Sequence, residues 1–362
     1  MSLSALLDST TGGHTPDWRL SVDGVDITCN IAHRLMSLTL TDNRGFEADQ
    51  LDIELDDSDR SLLLPRRGAN VALSLGWKET GLINKGTFTV DEIEHSGAPD
   101  RLTIRARSAD FRASLNVQRE ASYHNTTLGD VVKTLAARHK LTPVISQAMA
   151  STKLAHSDQS QESDGSFLTR LAREHGAVMA VKQGKMLFFK QGQNQTLSGK
   201  PLPALTITRQ QGDSHAFTLT DRDAYTGVVA HWLNTRQAKP EAVSVKRKRK
   251  KPSANTEKQG DYLVGSEENV LVLRHTYASK HNAERAARAN WERLQRGVAT
   301  FSITLVRGRA ELSHEMPVKV SGFKREIDQA AWTLVTVTHT LSSSGFTTAL
   351  ELEVKIDALE ME

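Results

Sequence analysis

The segment Leu51-Asp52-Ile53-Glu54-Leu55 places an apolar residue at every second position, with carboxylates between them. Residues 71–75 and 102–106 repeat this period of two. Such alternation puts one face of a strand against a core and the other face in water. Turn-forming stretches separate the strands, namely Asp42-Asn43-Arg44-Gly45, Pro65-Arg66-Arg67-Gly68 and Ser96-Gly97-Ala98-Pro99. The first part of the chain is therefore predicted to be an antiparallel barrel or sandwich.

The pattern changes to helical spacing in the middle of the chain. One apolar stripe has the spacing of a helix face, and Thr127 and Asp130 have the spacing of a capping box before it; the stripe is Leu128, Val131, Val132, Leu135 and Ala136. A second helix is predicted over residues 166–175, with Asp164 as its candidate cap. Residues 177–190 read as a hairpin that turns at Gln183-Gly184. We predict a small α/β unit here.

Strands return in the last part of the chain, at about residues 205–208, 216–220, 226–233, 301–306, 317–320, 332–338 and 350–356. The polar stretch 234–260 contains Pro240 and Pro252 and predicts a long mobile loop. A helix is predicted at about 280–295, and its alanines with Trp291 form a narrow face suited to close packing on a sheet.

These patterns together predict a mainly β fold with an α/β insertion. Two similar antiparallel β-barrel domains, residues 1–112 and 201–362, would flank a small α/β domain at 113–200. The second barrel domain would carry the loop at 234–260 and the helix at 280–295.

The composition excludes several classes of protein. The chain has 362 residues, and its single cysteine, Cys29, excludes a disulfide framework or a cysteine-rich zinc site. No apolar run reaches the roughly 18 residues of a membrane span. The first twenty residues lack a secretory signal, so we expect a protein of a reducing compartment.

The positive charge belongs to one segment. Lys and Arg number 46 against 43 Asp and Glu, and the balance becomes negative without a single basic run. This run is the candidate electrostatic contact site, and it consists of Lys246, Arg247, Lys248, Arg249, Lys250 and Lys251. It would bind phosphates of nucleic acid or an anionic lipid surface, or it is a solvated loop kept extended by repulsion. Because no aromatic residue is interleaved, specific nucleic-acid binding is not expected.

The motifs of common enzymes do not occur in the sequence. It has no H-E-x-x-H, G-x-S-x-G, Walker-type or G-x-G-x-x-G motif, and its 13 histidines are scattered. The acidic residues Asp56, Asp57 and Asp59 would suit a hard cation, but they lack the glycine and distal glutamate of an EF-hand loop and read better as a solvated turn. We therefore expect no catalytic residue, no cofactor and no metal.

A series of motifs in the last third resembles the late control protein D family, the baseplate hubs of contractile-tailed bacteriophages. The motifs are Arg274-His275-Thr276-Tyr277-Ala278-Ser279, Gly308-Arg309-Ala310-Glu311-Leu312, Pro317-Val318-Lys319-Val320-Ser321-Gly322-Phe323, Trp332-Thr333-Leu334-Val335-Thr336-Val337-Thr338-His339 and Ser344-Gly345-Phe346-Thr347-Thr348. The central segment Glu162-Ser163-Asp164-Gly165-Ser166-Phe167-Leu168-Thr169-Arg170-Leu171-Ala172 is similar to one shared by those hubs and by VgrG proteins of type VI secretion.

The resemblance implies a structural protein rather than an enzyme. A homotrimeric ring, with two barrels per subunit, would join the six-fold tail tube to a three-fold spike. Implied partners are a tail tube or tube-initiator protein, a tape-measure protein and baseplate wedge proteins. The implied location is the baseplate of a virion tail that is assembled in the cytoplasm of the bacterial host. Because VgrG chains continue into a spike whereas this sequence ends at Glu362, we expect the spike to be a separate polypeptide.

Three alternatives remain at this stage. The first is a VgrG-like hub of a type VI secretion system. The second is a tail-associated enzyme that degrades peptidoglycan, which would clear a suspension of purified cell walls. The third is a DNA-binding protein that acts through the basic run.

Overall fold

The first part of the chain is a set of β-strands with one short helix. The computed structural model describes residues 15–108, 113–182, 184–190, 204–219, 225, 227–234, 239–246, 269–296 and 299–354. The strands are β1 (Pro16–Val22), β2 (Val25–Asp26), β3 (Leu35–Asp42), β4 (Gln50–Asp56), β5 (Asn70–Trp77), β6 (Gly81–Ser96) and β7 (Arg101–Ser108), and helix α1 spans Thr28–Ile31.

The middle part is the predicted α/β unit. After a 3-10 turn at Ala113–Asn116, its elements are β8 (Gln118–Thr127), α2 (Leu128–Arg138), β9 (Thr142–Ile145), α3 (Gln147–Ala150), β10 (Lys153–Ser163), α4 (Asp164–Glu174), β11 (Ala177–Lys182) and β12 (Lys185–Lys190). Thr127 caps α2 by accepting a hydrogen bond from the Asp130 backbone N–H at 3.2 Å, which confirms the predicted cap. The β11–β12 hairpin is also confirmed.

The last part contains strands on both sides of one long helix. The elements are β13 (Leu205–Thr208), a 3-10 turn (Arg209–Gln211), β14 (Gly212–Leu219), β15 (Gly227–Asn234), β16 (Lys239–Lys246), β17 (Val270–Tyr277), α5 (Lys280–Arg296), β18 (Ala299–Leu305), β19 (Pro317–Ser321), α6 (Arg325–Asp328), β20 (Trp332–Ser342) and β21 (Gly345–Val354). None of the helices within the described residues is both long and apolar enough to cross a membrane.

Strands from both ends of the chain form one 13-stranded sheet. Its order is β14-β18-β21-β20-β3-β4-β7-β6-β5-β1-β2, with β19 and β13 added beside β20. The two halves meet where β3 pairs with β20 in antiparallel register, Leu38 opposite Leu341 and Leu40 opposite His339. The large antiparallel sheet confirms the mainly β fold that strand periodicity predicted.

The alternating residues of the opening segment form part of the core. Leu51, Ile53 and Leu55 on β4 are at most 3% exposed, as the period of two predicted. Burial of each such side chain contributes about 1.5–3 kcal/mol relative to exposure. The core of the first half also includes Leu341 and Phe346 from β20 and β21, so the two halves share part of their apolar interior.

The predicted loop over residues 234–260 is wrong in its first part. Residues 239–246 form strand β16, which pairs with β15 in antiparallel register. Val243 and Val245 alternate with Ser244 and are buried, and this short period of two was hidden in a polar stretch. Pro240 is tolerated because β16 is an edge strand, where one side needs no ladder hydrogen bonds. The rest of the predicted loop lies outside the described residues.

The long helix packs on a separate small sheet. β15 is the central strand of this sheet, between β16 and β17, and α5 lies against it. Ala283, Ala287 and Trp291 are at most 1% exposed and pack on Val228 and Ala230 of β15. The predicted alanine face of the helix is confirmed, and small side chains there allow the helix to approach the sheet closely.

We expect Ala287→Leu to lower the free energy of unfolding by about 1–3 kcal/mol, because three added carbons have no space between helix and sheet. The matched control is Ala278→Leu at an exposed position just before the helix, which should change stability by less than about 0.5 kcal/mol. Urea unfolding measures both variants. Equal stability of the two variants would contradict the packing described above.

Candidate functional site: an ionic junction between the parts of the chain

The predicted electrostatic site lies almost entirely outside the described residues. Lys246 is the last residue of β16, and Arg247, Lys248, Arg249, Lys250 and Lys251 follow it beyond the described strand. The contacts of the basic run therefore stay a prediction.

The acidic residues Asp57 and Asp59, whose spacing would suit a hard cation, have other partners. The Arg34 guanidinium holds Asp59 with distances of 2.5 and 2.7 Å, and His95 lies 3.3 Å from Asp57. Within the described part of the chain, no three His, Cys, Asp or Glu side chains form a group that could hold a metal. Asp56 is the last residue of β4, and Asp57 and Asp59 lie in the hydrogen-bonded turn that follows it.

Lys182, at the end of β11, joins the middle unit to both β-rich halves. Its ammonium group donates to Asp42 and, at 2.9 Å, to Asp49, both from the first half. It also lies 3.2 Å from Nδ1 of His314, which belongs to the second half and is 3.1 Å from Asp42. The Lys182 side chain is 17% exposed and that of Asp42 14%, so solvent screens this cluster only weakly.

The two carboxylates of this cluster differ in acidity. Burial raises the pKa of Asp42, but hydrogen bonds and charge from His314 and Lys182 outweigh burial and hold its pKa well below the usual range. Burial raises the pKa of Asp49, and the negative charge of Asp42 raises it further. The positive charge of Lys182 lowers this pKa but offsets the increase only in part. Lys182 is thus the shared cation of both carboxylates.

Arg44 forms a second ionic contact between the halves. We call the contacts of Lys182 and Arg44 together the ionic junction. The side chain starts in the turn after β3, and its guanidinium lies 2.6 Å from Glu315 and 2.7 Å from Glu353 of the second half. It also donates to the carbonyl oxygen of Leu334 at 3.2 Å. Arg296, at the end of α5, lies 3.9 Å from the same Glu353. The cluster has two positive and two negative groups, so its buried charge is balanced.

A third contact inserts the segment before β19 into the first half. The indole N–H of Trp77 donates to the carbonyl oxygen of Gly308 at 2.8 Å, and the Trp77 ring packs on Phe346 at 5.5 Å. Lys85 donates to the carbonyl oxygen of Ala310 at 2.9 Å. A Cβ on Gly308 would overlap the Phe346 ring, so only glycine fits this close approach.

Asp164 is buried in the middle unit and is not the helix cap that the sequence predicted. Ser163 caps α4, because its hydroxyl accepts from the Ser166 N–H at 3.1 Å. The Asp164 carboxylate instead accepts hydrogen bonds from Arg138, Gln159 and His139 at 2.7 to 2.9 Å. Burial raises the pKa of Asp164, but these bonds outweigh burial and lower it. The prediction was wrong because a helix start signal does not distinguish N-cap from first turn.

The middle unit also touches the first half through the segment between β3 and β4, which carries Arg44. Phe46, from the turn between β3 and β4, packs on the core of the middle unit. A Cβ on Gly165 would overlap the Phe46 ring. The sequence indicates only a turn at Asp42, Arg44 and Gly45, and nothing local in it points to their distant partners.

We expect Lys182→Met to destabilise the protein by roughly 3 kcal/mol, because Asp42 and Asp49 would lose their shared cation while remaining largely buried. The control is Lys133→Met, which removes an exposed lysine 3.8 Å from Asp130 and should cost under about 0.5 kcal/mol. Thermal unfolding at neutral pH compares the variants. Similar melting temperatures for both would mean that Lys182 does not hold the junction.

Acid should weaken the contact between β20 and β3 through His339. This side chain is fully buried, and burial together with the charge of Lys85 lowers its pKa to about 3. Below about pH 6.5 this histidine is protonated in the unfolded chain but stays neutral in the folded chain, so the free energy of unfolding falls as the pH drops toward 3.

Between pH 7 and pH 5 we expect this group to account for a loss of about 2 kcal/mol. His339→Asn retains a polar side chain facing Thr348 and should show a correspondingly smaller loss in urea unfolding over this range. An unchanged pH dependence in the variant would contradict the assignment to His339.

The chain is similar to tail proteins in sequence and in structure. A family model described as phage tail baseplate hub (GPD) matches residues 43–345. The probable baseplate hub protein of Escherichia phage 186 is 54% identical over 367 residues, which cover 95% of this chain and 94% of that protein. The probable baseplate hub protein of Escherichia phage P2 is 52% identical over 381 residues, with 99% and 98% coverage.

Solved structures share the fold at low identity. The 43 kDa tail protein of prophage MuSo2 from Shewanella oneidensis has a TM-score of 0.69 at 12% identity, covering 96% of this chain and all of that one (100%). A tail protein from Neisseria meningitidis MC58 has a TM-score of 0.66 at 15% identity, with 94% and 96% coverage. An E. coli component of the type VI secretion system has a TM-score of 0.55 at 13% identity, with 93% and 77% coverage.

The match to the family model and the two relatives, each more than half identical across nearly its whole length, agree with the resemblance seen in the motifs. The chain therefore belongs to the phage tail baseplate hub (GPD) family, and it is a baseplate hub protein.

Proposed function

We propose that three copies of this chain form a ring that adapts the six-fold symmetry of a tail tube to the three-fold symmetry of a spike. In this proposal residues 1–112 and 201–362 supply two similar barrel domains, and residues 113–200 form the domain between them. Each ring then presents six similar surfaces on one side and retains three-fold symmetry on the other.

The strand order around the β3–β20 pair supports the similarity of the two halves. Moving outward from that pair, the first half runs β3-β4-β7-β6 and the second runs β20-β21-β18-β14. All neighbours along both series pair in antiparallel fashion. Along the chain, the first series forms in the order β3, β4, β6, β7, which are its first, second, fourth and third positions. The second series forms in the order β14, β18, β20, β21, which are its fourth, third, first and second positions. The two orders of positions become identical when each is closed into a cycle.

The ionic junction supports a role in which the subunit acts as one rigid body. An adapter between partners of different symmetry must keep its two partner-binding surfaces at a fixed relative orientation. Lys182 and Arg44 each contact carboxylates across a boundary between parts of the chain. Because these charges are mostly buried, changing the orientation would leave them without partners, at a cost of several kcal/mol.

The proposed partners follow from this adapter role. They are a spike protein made as a separate polypeptide, a tail tube or tube-initiator protein, a tape-measure protein and the baseplate wedge proteins. The protein would join them in the cytoplasm of the bacterial host and remain at the baseplate of the virion. Its action is binding by shape and by repeated contacts, without a covalent step.

The oligomeric state is the direct test of the proposed ring. Sedimentation equilibrium of the full chain at micromolar concentration should give a mass of about three times 39.9 kDa. Negative-stain class averages of the same sample should show a ring with three-fold symmetry and six similar lobes. A monodisperse monomer, or a ring in which the two β-rich halves have unlike outlines, would overturn the proposal.

A further inference from the structure

A cleft lined by arginines lies between two helices that are distant in sequence. It has a volume of about 160 Å³ and separates α4 of the middle unit from α5 of the second half. We call it the arginine cleft, and its charged and aromatic lining consists of Arg170, Arg173, Glu174, Tyr277, Arg293 and Arg296. The lining thus carries four guanidinium groups and one carboxylate.

Two of the four arginines are already neutralised inside the protein. Arg170 donates to Glu162 at 2.8 to 3.2 Å and to Glu174 at 3.1 Å. Arg296 lies 3.9 Å from Glu353, in the ionic junction. Both side chains therefore have carboxylate partners of their own.

The other two arginines have donors to spare. Arg173 and Arg293 are exposed lining residues, one on each helix, and neither forms an ion pair with any residue that the structure describes. Among the described residues, Arg293 makes one hydrogen bond, from Nη2 to the side-chain oxygen of Asn290 at 2.9 Å. A guanidinium carries five N–H donors in a planar fork, so both can hold an added anionic group.

The helix dipoles explain only part of this arrangement. Arg173 and Arg293 lie in the last turns of their helices, where a cation contributes about 0.3–1 kcal/mol. The dipole does not explain why both helices end on the same cleft. Arg285, whose charge is felt by the lining residues Glu174 and Tyr277, also has a buried Nε with no hydrogen-bond partner among the described residues. The lining residues, four arginines and Glu174, thus carry an excess of positive charge. Glu292 approaches the lining at Gly176 but is also paired with Lys190 at 3.6 Å.

We propose that the arginine cleft binds an acidic segment of another tail protein, by taking one Asp or Glu side chain between Arg173 and Arg293. Two guanidinium groups that line one cleft supply enough N–H donors for both oxygens of a carboxylate. The lining beside them includes Ala177, Ala286 and Ala289, which would contact the aliphatic stem of that side chain. The narrow volume suits one side chain rather than a nucleic-acid backbone. The inference rests on the hub's role as a binding protein.

A labelled hexaglutamate peptide titrated into the full chain at low ionic strength tests the proposal, with hexaglutamine as the uncharged probe. We expect Arg173→Glu with Arg293→Glu to weaken hexaglutamate binding by about tenfold or more, because two charge-assisted contacts become repulsive. The matched control, Arg66→Glu with Arg67→Glu, makes the same charge change in an exposed turn and should weaken binding less than about twofold.

Several results would overturn the proposal: equal loss in both double variants, no difference between the two peptides, or displacement of the peptide by inorganic phosphate or a single-stranded oligonucleotide at a lower concentration. Arg173→Gln with Arg293→Gln serves if the charge reversal impairs folding, and it should weaken binding in the same direction. The cleft variants should sediment as the wild type does, so failure of this proposal is distinct from failure of the trimeric ring.

Discussion

The pairing of β3 with β20 is the constraint on which the rest of the structure depends. It joins positions roughly 300 residues apart, and closing a loop of that length costs about 5 kcal/mol of chain entropy by the logarithmic rule. The apolar side chains that the pairing buries, including Leu38 and Leu341, provide the compensating free energy. Because Leu341 and Phe346 belong to the core of the first half, that core is incomplete without the second half.

Charged groups at this boundary contribute specificity more than stability. Removing Arg44 and Lys182 from water is costly, and their ion pairs roughly balance that cost. A different packing of the apolar faces would bury the same cations without Glu315, Asp42 or Asp49. The ionic contacts therefore disfavour alternative orientations of the three parts, which hydrophobic burial alone would tolerate. Apolar burial thus supplies stability and the ion pairs supply specificity, which suits a protein whose parts must keep a fixed relative orientation.

The sequence predicted features that depend on neighbours in the chain. The alternation around Ile53 and the stripe on α2 each report which face of an element is buried, so those elements were found. Strand β16 was missed because its two buried valines lie between Pro240 and the basic run. The junction could not be predicted, since the turn at Asp42 looks the same whether its carboxylate faces water or Lys182. Distant pairings leave no local periodicity, and the separate sheet under α5 was missed for the same reason.

In the proposed ring, the number of copies of each feature determines the symmetry that it can serve. The strand series on either side of the β3–β20 pair occurs twice per chain, so a trimer carries six of them. The middle unit and the small sheet under α5 occur once per chain and thus three times per ring. The arginine cleft lies between these two single-copy parts. A partner bound there would follow three-fold symmetry, whereas a six-fold partner would contact the repeated strands.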